Sequence, residues 1–191
     1  MPSPDPLIGY LAHYVTPQQR HYYGGILTVD LRGMPREFRH TEAIKPSSMQ
    51  SLLYGETLEL AIGSDAVAPA LYSSLTRKPT LLLIETLGRA LFGSFLLQHT
   101  PSGLIVPYRS RDLALGMYLA PEGHLVTAQD FDLKGSTSER IYAYLLDNPP
   151  DFDGEETLKQ AQSLFNLMNP FERVRKTLEE VAQASEKRGK A

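Results

Sequence analysis

Thr80-Leu81-Leu82-Leu83-Ile84 is the stretch on which the fold turns. A short run that is apolar on both faces implies a strand in the middle of a sheet covered on both sides. On its N-terminal side, Val67, Leu71 and Leu75 recur at four-residue spacing and predict a helix over 66–75, with Pro69 in its first turn and Lys78-Pro79 as the stop. Before that, Met49, Leu52, Leu53, Leu58 and Ile62 give a helical pattern divided by Gly55, and the serines at 47 and 48 suit an N-cap. Helices leading into a buried strand predict a crossover to a parallel partner.

Further toward the N-terminus, Gly24-Gly25 opens the run Ile26-Leu27-Thr28-Val29, which ends at Asp30. Leu31-Arg32-Gly33-Met34-Pro35 supplies a turn, and 36–44 returns as an extended segment. Arg36, Phe38 and His40 alternate with Glu37, Arg39 and Thr41, so the pair reads as a β-hairpin. Residues 7–15 fit a strand or a short helix, and the proline-rich residues 1–6 form a lead-in.

On the C-terminal side, 87–98 reads as a helix, 103–109 as a strand, and 115–119 with 124–127 as a hairpin around Ala120-Pro121-Glu122-Gly123. The core is expected to span 7–132. A helix over 138–146, an acidic proline-containing linker at 147–154 and a helix over 155–168 follow. The last helix begins at Asn169-Pro170, and its apolar stripe is Phe171, Val174, Leu178 and Val181. The expected class is α+β, bordering on α/β: a mixed sheet with hairpins and a buried central strand, helices on its faces, and a C-terminal helical arm.

Composition narrows the function. In 191 residues, 42% are hydrophobic and 21% charged, with a net charge of -3, which excludes a disordered chain or a strongly basic nucleic-acid binder. There is no cysteine, which excludes disulfides, thiolate-ligated zinc and a thiol nucleophile. The apolar runs are too short to span a bilayer and the N-terminus lacks a basic signal region, so a cytoplasmic protein with no membrane partner is expected.

No P-loop, nucleophile elbow or paired-histidine motif is present, so no cofactor and no metal site is expected. Gly24-Gly25 precedes a strand, the wrong order for a phosphate loop. The leading expectation is a non-catalytic adaptor or structural subunit, with a protein partner or a second copy of the chain docked on Phe171, Val174, Leu178 and Val181.

The alternative is a metal-dependent hydrolase or nuclease-like enzyme built on Asp30, Glu37, Glu42 and Glu85. Metal-dependent nucleases place an acid on one strand and an acid-x-lysine pair on the next, so that two carboxylates hold the metal while the lysine orients water. Here Glu42-Ala43-Ile44-Lys45 is one residue too long and sets acid and amine on opposite faces. Glu85 earns its place because it follows the apolar strand, where α/β proteins gather their sites. A nucleic-acid-binding module, with Arg36, Arg39, Arg109 and Arg111 on phosphates, is the remaining reading.

Overall fold

The computed structural model describes residues 6–18, 20–84, 104–110, 118–119, 125–126, 133–134, 140–145 and 154–188. Its centre is a mixed sheet. Strand β1 (Ile8–Val15) pairs antiparallel with β2 (Tyr22–Val29), and β2 pairs antiparallel with β3 (Pro35–His40). On its other side β1 pairs parallel with β4 (Leu81–Ile84), in the register Ile8↔Leu81 to Leu11↔Ile84.

Next comes β5 (Leu104–Ser110), parallel to β4. The two-residue strands β6 (Tyr118–Leu119) and β7 (Leu125–Val126) pair apart from the main sheet. Strands β8 (Leu133–Lys134) and β9 (Arg140–Leu145) complete the order β3-β2-β1-β4-β5-β9-β8. The parallel β1/β4 pairing is the one that the apolar run 81–84 required.

The segment expected to be a helix over 138–146 is instead strand β9, antiparallel to β5. Ile141-Tyr142-Ala143-Tyr144 is rich in residues that fit a pleated surface, and pairing with β5 outweighs their weak helical preference. Strands β8 and β9 also carry the sheet past residue 132. The expected helix over 87–98 lies outside the described residues.

Helices cover both faces. One layer is α1 (Ser48–Tyr54), a 3₁₀ turn Gly55–Thr57, α2 (Leu58–Leu60), a π-helical stretch Ala61–Val67 and α3 (Ala68–Ser74). The break at Gly55 falls where the sequence weakens, and its φ of +51° ends α1. Ser47 caps α1 through a capping box with Gln50 (Gln50 N to Ser47 Oγ 3.2 Å, Ser47 N to Gln50 Oε1 2.9 Å). The other layer is α4 (Gly154–Leu164) and α5 (Asn169–Arg188).

Strand periodicity sorts the core. Ile8, Tyr10, Ala12, Tyr23, Leu27, Val29, Leu81 and Leu83 pack with Ala161, Met168, Phe171, Val174, Leu178 and Ala182. Tyr10 meets the edge of Phe171 with ring centroids 4.9 Å apart. The opposite face receives the buried Val67, Ala68, Leu71 and Leu75. Gly24 and Gly25 thin the sheet from both sides: a Cβ on Gly24 would overlap Val67, and one on Gly25 would come within 2.9 Å of Val174. The consecutive glycines therefore serve the closest approach of both helical layers to β2.

Candidate functional site

The hairpin carboxylates are brought into the structure as latches. Asp30 closes the β2–β3 turn by accepting from the Arg32 and Met34 backbone N–H groups (2.9 and 3.0 Å) and from Arg36 (2.8 Å). Glu37 projects toward the α3 side, where its carboxylate accepts from the backbone N–H of Thr76 (3.0 Å) and its hydroxyl (3.1 Å), and it pairs with Arg39 at 2.7 Å. Partial desolvation opposes ionisation of both acids, but the donors outweigh it and hold each below the usual carboxylate range.

Arg36 and Arg39, expected to hold phosphates, are thus engaged by Asp30 and Glu37. Glu42 is exposed and does not join them; with His40, Lys45 and Arg188 it lines a separate cavity of about 480 Å³ beside α5. Arg109 lies in β5 opposite Ile141, while Glu85 and Arg111 lie outside the described residues. Among the described residues, no three of His, Asp or Glu gather as metal ligands.

The stripe expected to meet a partner is covered by the chain itself. Phe171, Val174 and Leu178 are buried in the core, and Val181 packs partly buried against it. The cause is the β1–β2 surface, whose apolar side chains and Gly25 make a fitting seat for a helix with this spacing. No described helix is long and apolar enough to cross a membrane.

Another group of side chains converges where the sequence showed only a turn. Between β1 and β2, Thr16 and His21 exchange backbone contacts (Thr16 N to His21 O, 3.0 Å), and Arg20 adopts φ +48°. A non-glycine residue in the left-handed region costs about 1–3 kcal/mol, so the surrounding turn must hold it there. That conformation carries its guanidinium to Glu59 (3.0 Å) and within 3.4 Å of the Tyr22 hydroxyl.

Together with Gln18, Ser51, Glu56 and Leu58, these residues line a cleft of about 780 Å³. It lies at the carboxyl end of β1, the strand that runs parallel with β4. Within the field of Glu59, half-buried His13 is held below its ordinary pKa by burial, an effect that the Glu59 carboxylate partly offsets. The sequence offered no motif for this cleft. Its one clue, an arginine beside the turn after Pro17, is indistinguishable from a solvated surface charge.

No protein-family model and no curated protein matches this chain. Solved structures do align with it. Ciona intestinalis Endonuclease V, in complex with a 23mer DNA containing an inosine followed by a ribo-adenosine, is 12% identical at a TM-score of 0.49, covering 93% of this chain and 86% of that one. Endonuclease V from Streptomyces avermitilis is 13% identical at a TM-score of 0.45, covering 100% and 86%. Marinitoga piezophila Argonaute in complex with a guide RNA is 11% identical at 0.35, covering 81% and 25%. These similarities are too distant to transfer a site or an activity.

Proposed function

We propose that the protein is a nuclease-type hydrolase that takes a nucleic-acid strand into the cleft at the carboxyl end of β1. The observation that carries this reading is Arg20, held at φ +48° with its guanidinium over the cleft and on Glu59. Strained backbone of this kind clusters at active sites and ligand clamps, which motivates a working role for the side chain it positions. A guanidinium is the side chain best shaped for a phosphate.

The cleft volume falls in the usual range for ligand sites, roughly 300–1,000 Å³. A phosphate that draws Arg20 away releases the Glu59 carboxylate, which accepts a proton from a water as that water's oxygen bonds to phosphorus; the P–O bond to the departing strand end breaks, and its oxygen takes a proton from solvent. His13, kept neutral by burial, lies within its field. Glu85 comes directly after Ile84 in the sequence. It is the remaining acid proposed for this end of the sheet.

The test is fluorescence anisotropy with labelled single-stranded DNA and RNA at low salt, followed by gel assays of cleavage with and without magnesium or manganese. Arg20→Ala should weaken binding about tenfold, equivalent to about 1.4 kcal/mol. Glu59→Gln should retain binding and lose cleavage. A wild-type protein that neither binds nor cleaves, or an Arg20→Ala variant that behaves as wild type, overturns the reading.

A further inference from the structure

Beside α5, basic side chains from three separate parts of the chain line one cavity of about 480 Å³. His40 ends β3, Lys45 follows the bridge that Ile44 makes with Tyr22, and Arg188 ends α5. The Arg20 cleft is a different place. Tyr22 lines that cleft and Tyr23 lines this one, and consecutive residues of a strand face opposite sides of its sheet. The volume again falls in the range of ligand sites.

The charges here are not spent on one another. Lys45, Arg188 and the carboxylate of Glu42 share the cavity, yet among the described residues they form no ion pair together. Charges that line a concavity and stay unpaired focus their field into it. His40 Nδ1 lies 3.0 Å from the carbonyl oxygen of Thr41. A carbonyl only accepts, so Nδ1 carries the proton and Nε2 is the nitrogen left for a ligand. Ala43 and Val181, which pack against the core, give the lining an apolar part.

We infer that this cavity binds a sugar phosphate. A guanidinium and an ammonium together suit a phosphate group, the first through its fork of donors and the second as a compact charge. Glu42 argues against a bare anion, which it repels. A carboxylate beside a phosphate site instead accepts from hydroxyl groups, as acids do from ribose in nucleotide sites. Two cations against one carboxylate still leave the net positive charge that a phosphate needs, and the apolar lining fits the carbon skeleton of a sugar. A free small molecule and the backbone of a nucleic-acid strand both present this chemistry. The inference does not rest on the reading of the Arg20 cleft.

NMR of the histidine ring signals during titration with ribose 5-phosphate tests it, with inorganic phosphate as the comparison. The His40 signals should shift and saturate at millimolar ribose 5-phosphate, and inorganic phosphate should bind about tenfold more weakly. Lys45→Ala/Arg188→Ala should abolish saturation, while Arg20→Ala leaves it unchanged. Glu42→Gln should narrow the difference between the two ligands. Glu42, Lys45 and Arg188 are exposed, so none of these changes should move the melting temperature. An oligoribonucleotide that displaces ribose 5-phosphate assigns the site to a strand's backbone, and one that does not assigns it to a free sugar phosphate. No saturable shift of His40, equal binding of inorganic phosphate, or a double variant that binds as wild type does overturns the inference.

Discussion

The guanidinium of Arg173 donates to the carbonyl of Gly33 at 3.0 Å, tying the last helix to the β2–β3 turn across 140 residues of sequence. Gly33 has φ +77°, and a Cβ there would come within 2.8 Å of the Phe165 ring. Gly33→Ala should therefore lower stability by about 1–3 kcal/mol, from both strain and overlap. Arg173→Ala should cost less, about 1 kcal/mol for one hydrogen bond. Urea denaturation ranks the two, and a Gly33→Ala variant as stable as wild type would contradict the packing described.

Gly24 is a packing residue, and its partner is Val67. Gly24→Ala alone should destabilise by roughly 1–3 kcal/mol. Val67→Ala opens space at the same place, so the double variant should lose less than the two single losses combined. A double-mutant cycle with no coupling would show that the helical layer does not approach β2 here.

The sequence places the core within 7–132 and the helix after Asn169 outside it as an arm. The structure indicates the opposite, since Phe171, Val174, Leu178 and Ala182 complete the core over β1 and β2. Leu178→Ala should cost about 2–5 kcal/mol and Phe171→Ala about 3–5 kcal/mol. Truncation before Asn169 should yield a protein without a cooperative melt; a sharp transition in that variant would restore the arm to an accessory role.

Acid should release the two latches. Asp30 and Glu37 have folded-state pKa values below their unfolded ones, about 3.9 and 4.3. Their contribution is therefore complete above those values and is lost as pH falls through the depressed folded values. Asp30→Asn and Glu37→Gln should flatten the acid limb of the stability-versus-pH curve below about pH 4 and lower stability at neutral pH. Unchanged acid limbs would mean that the carboxylates carry no linkage.

His13 offers a spectroscopic check of the cleft. Burial holds its folded pKa below the unfolded value, about 6.5, so its neutral form supports the fold above that value and the support is lost as pH falls through the folded pKa. NMR titration should show this depressed value. Glu59→Gln should lower it further, because the carboxylate favours the imidazolium; an upward shift would place Glu59 away from His13.

Local chemistry spoke plainly where one segment settles its own structure. The β2–β3 hairpin is announced by alternation and by Gly33, α5 by Asn169-Pro170 and a stripe at helical spacing, and β4 by four apolar residues in succession. Such signals survive because backbone conformation and the period of side-chain burial are properties of neighbours in sequence. Strand β9 departs from the helix expected there because its tyrosines and alanine suit either period, and its partnership with β5 decides between them.

The roles of side chains were decided only in three dimensions. The stripe 171–178 reads identically whether its cover is a partner or the chain's own sheet, and Gly25 on β2, against Val174 and Leu178, supplies that seat. Asp30 and Glu37 look like free acids in sequence, yet the turn and Thr76 occupy them. Arg20, Glu59 and His13 meet because a hairpin turn and a helix, 39 residues apart at the Arg20–Glu59 contact, converge at one end of β1. Sequence thus determined the segments whose own pattern has one period, such as β4, the β2–β3 hairpin and α5, and which of their faces are apolar. Charge pairing and cleft formation needed the tertiary structure, because both depend on distances between residues that the chain order leaves free.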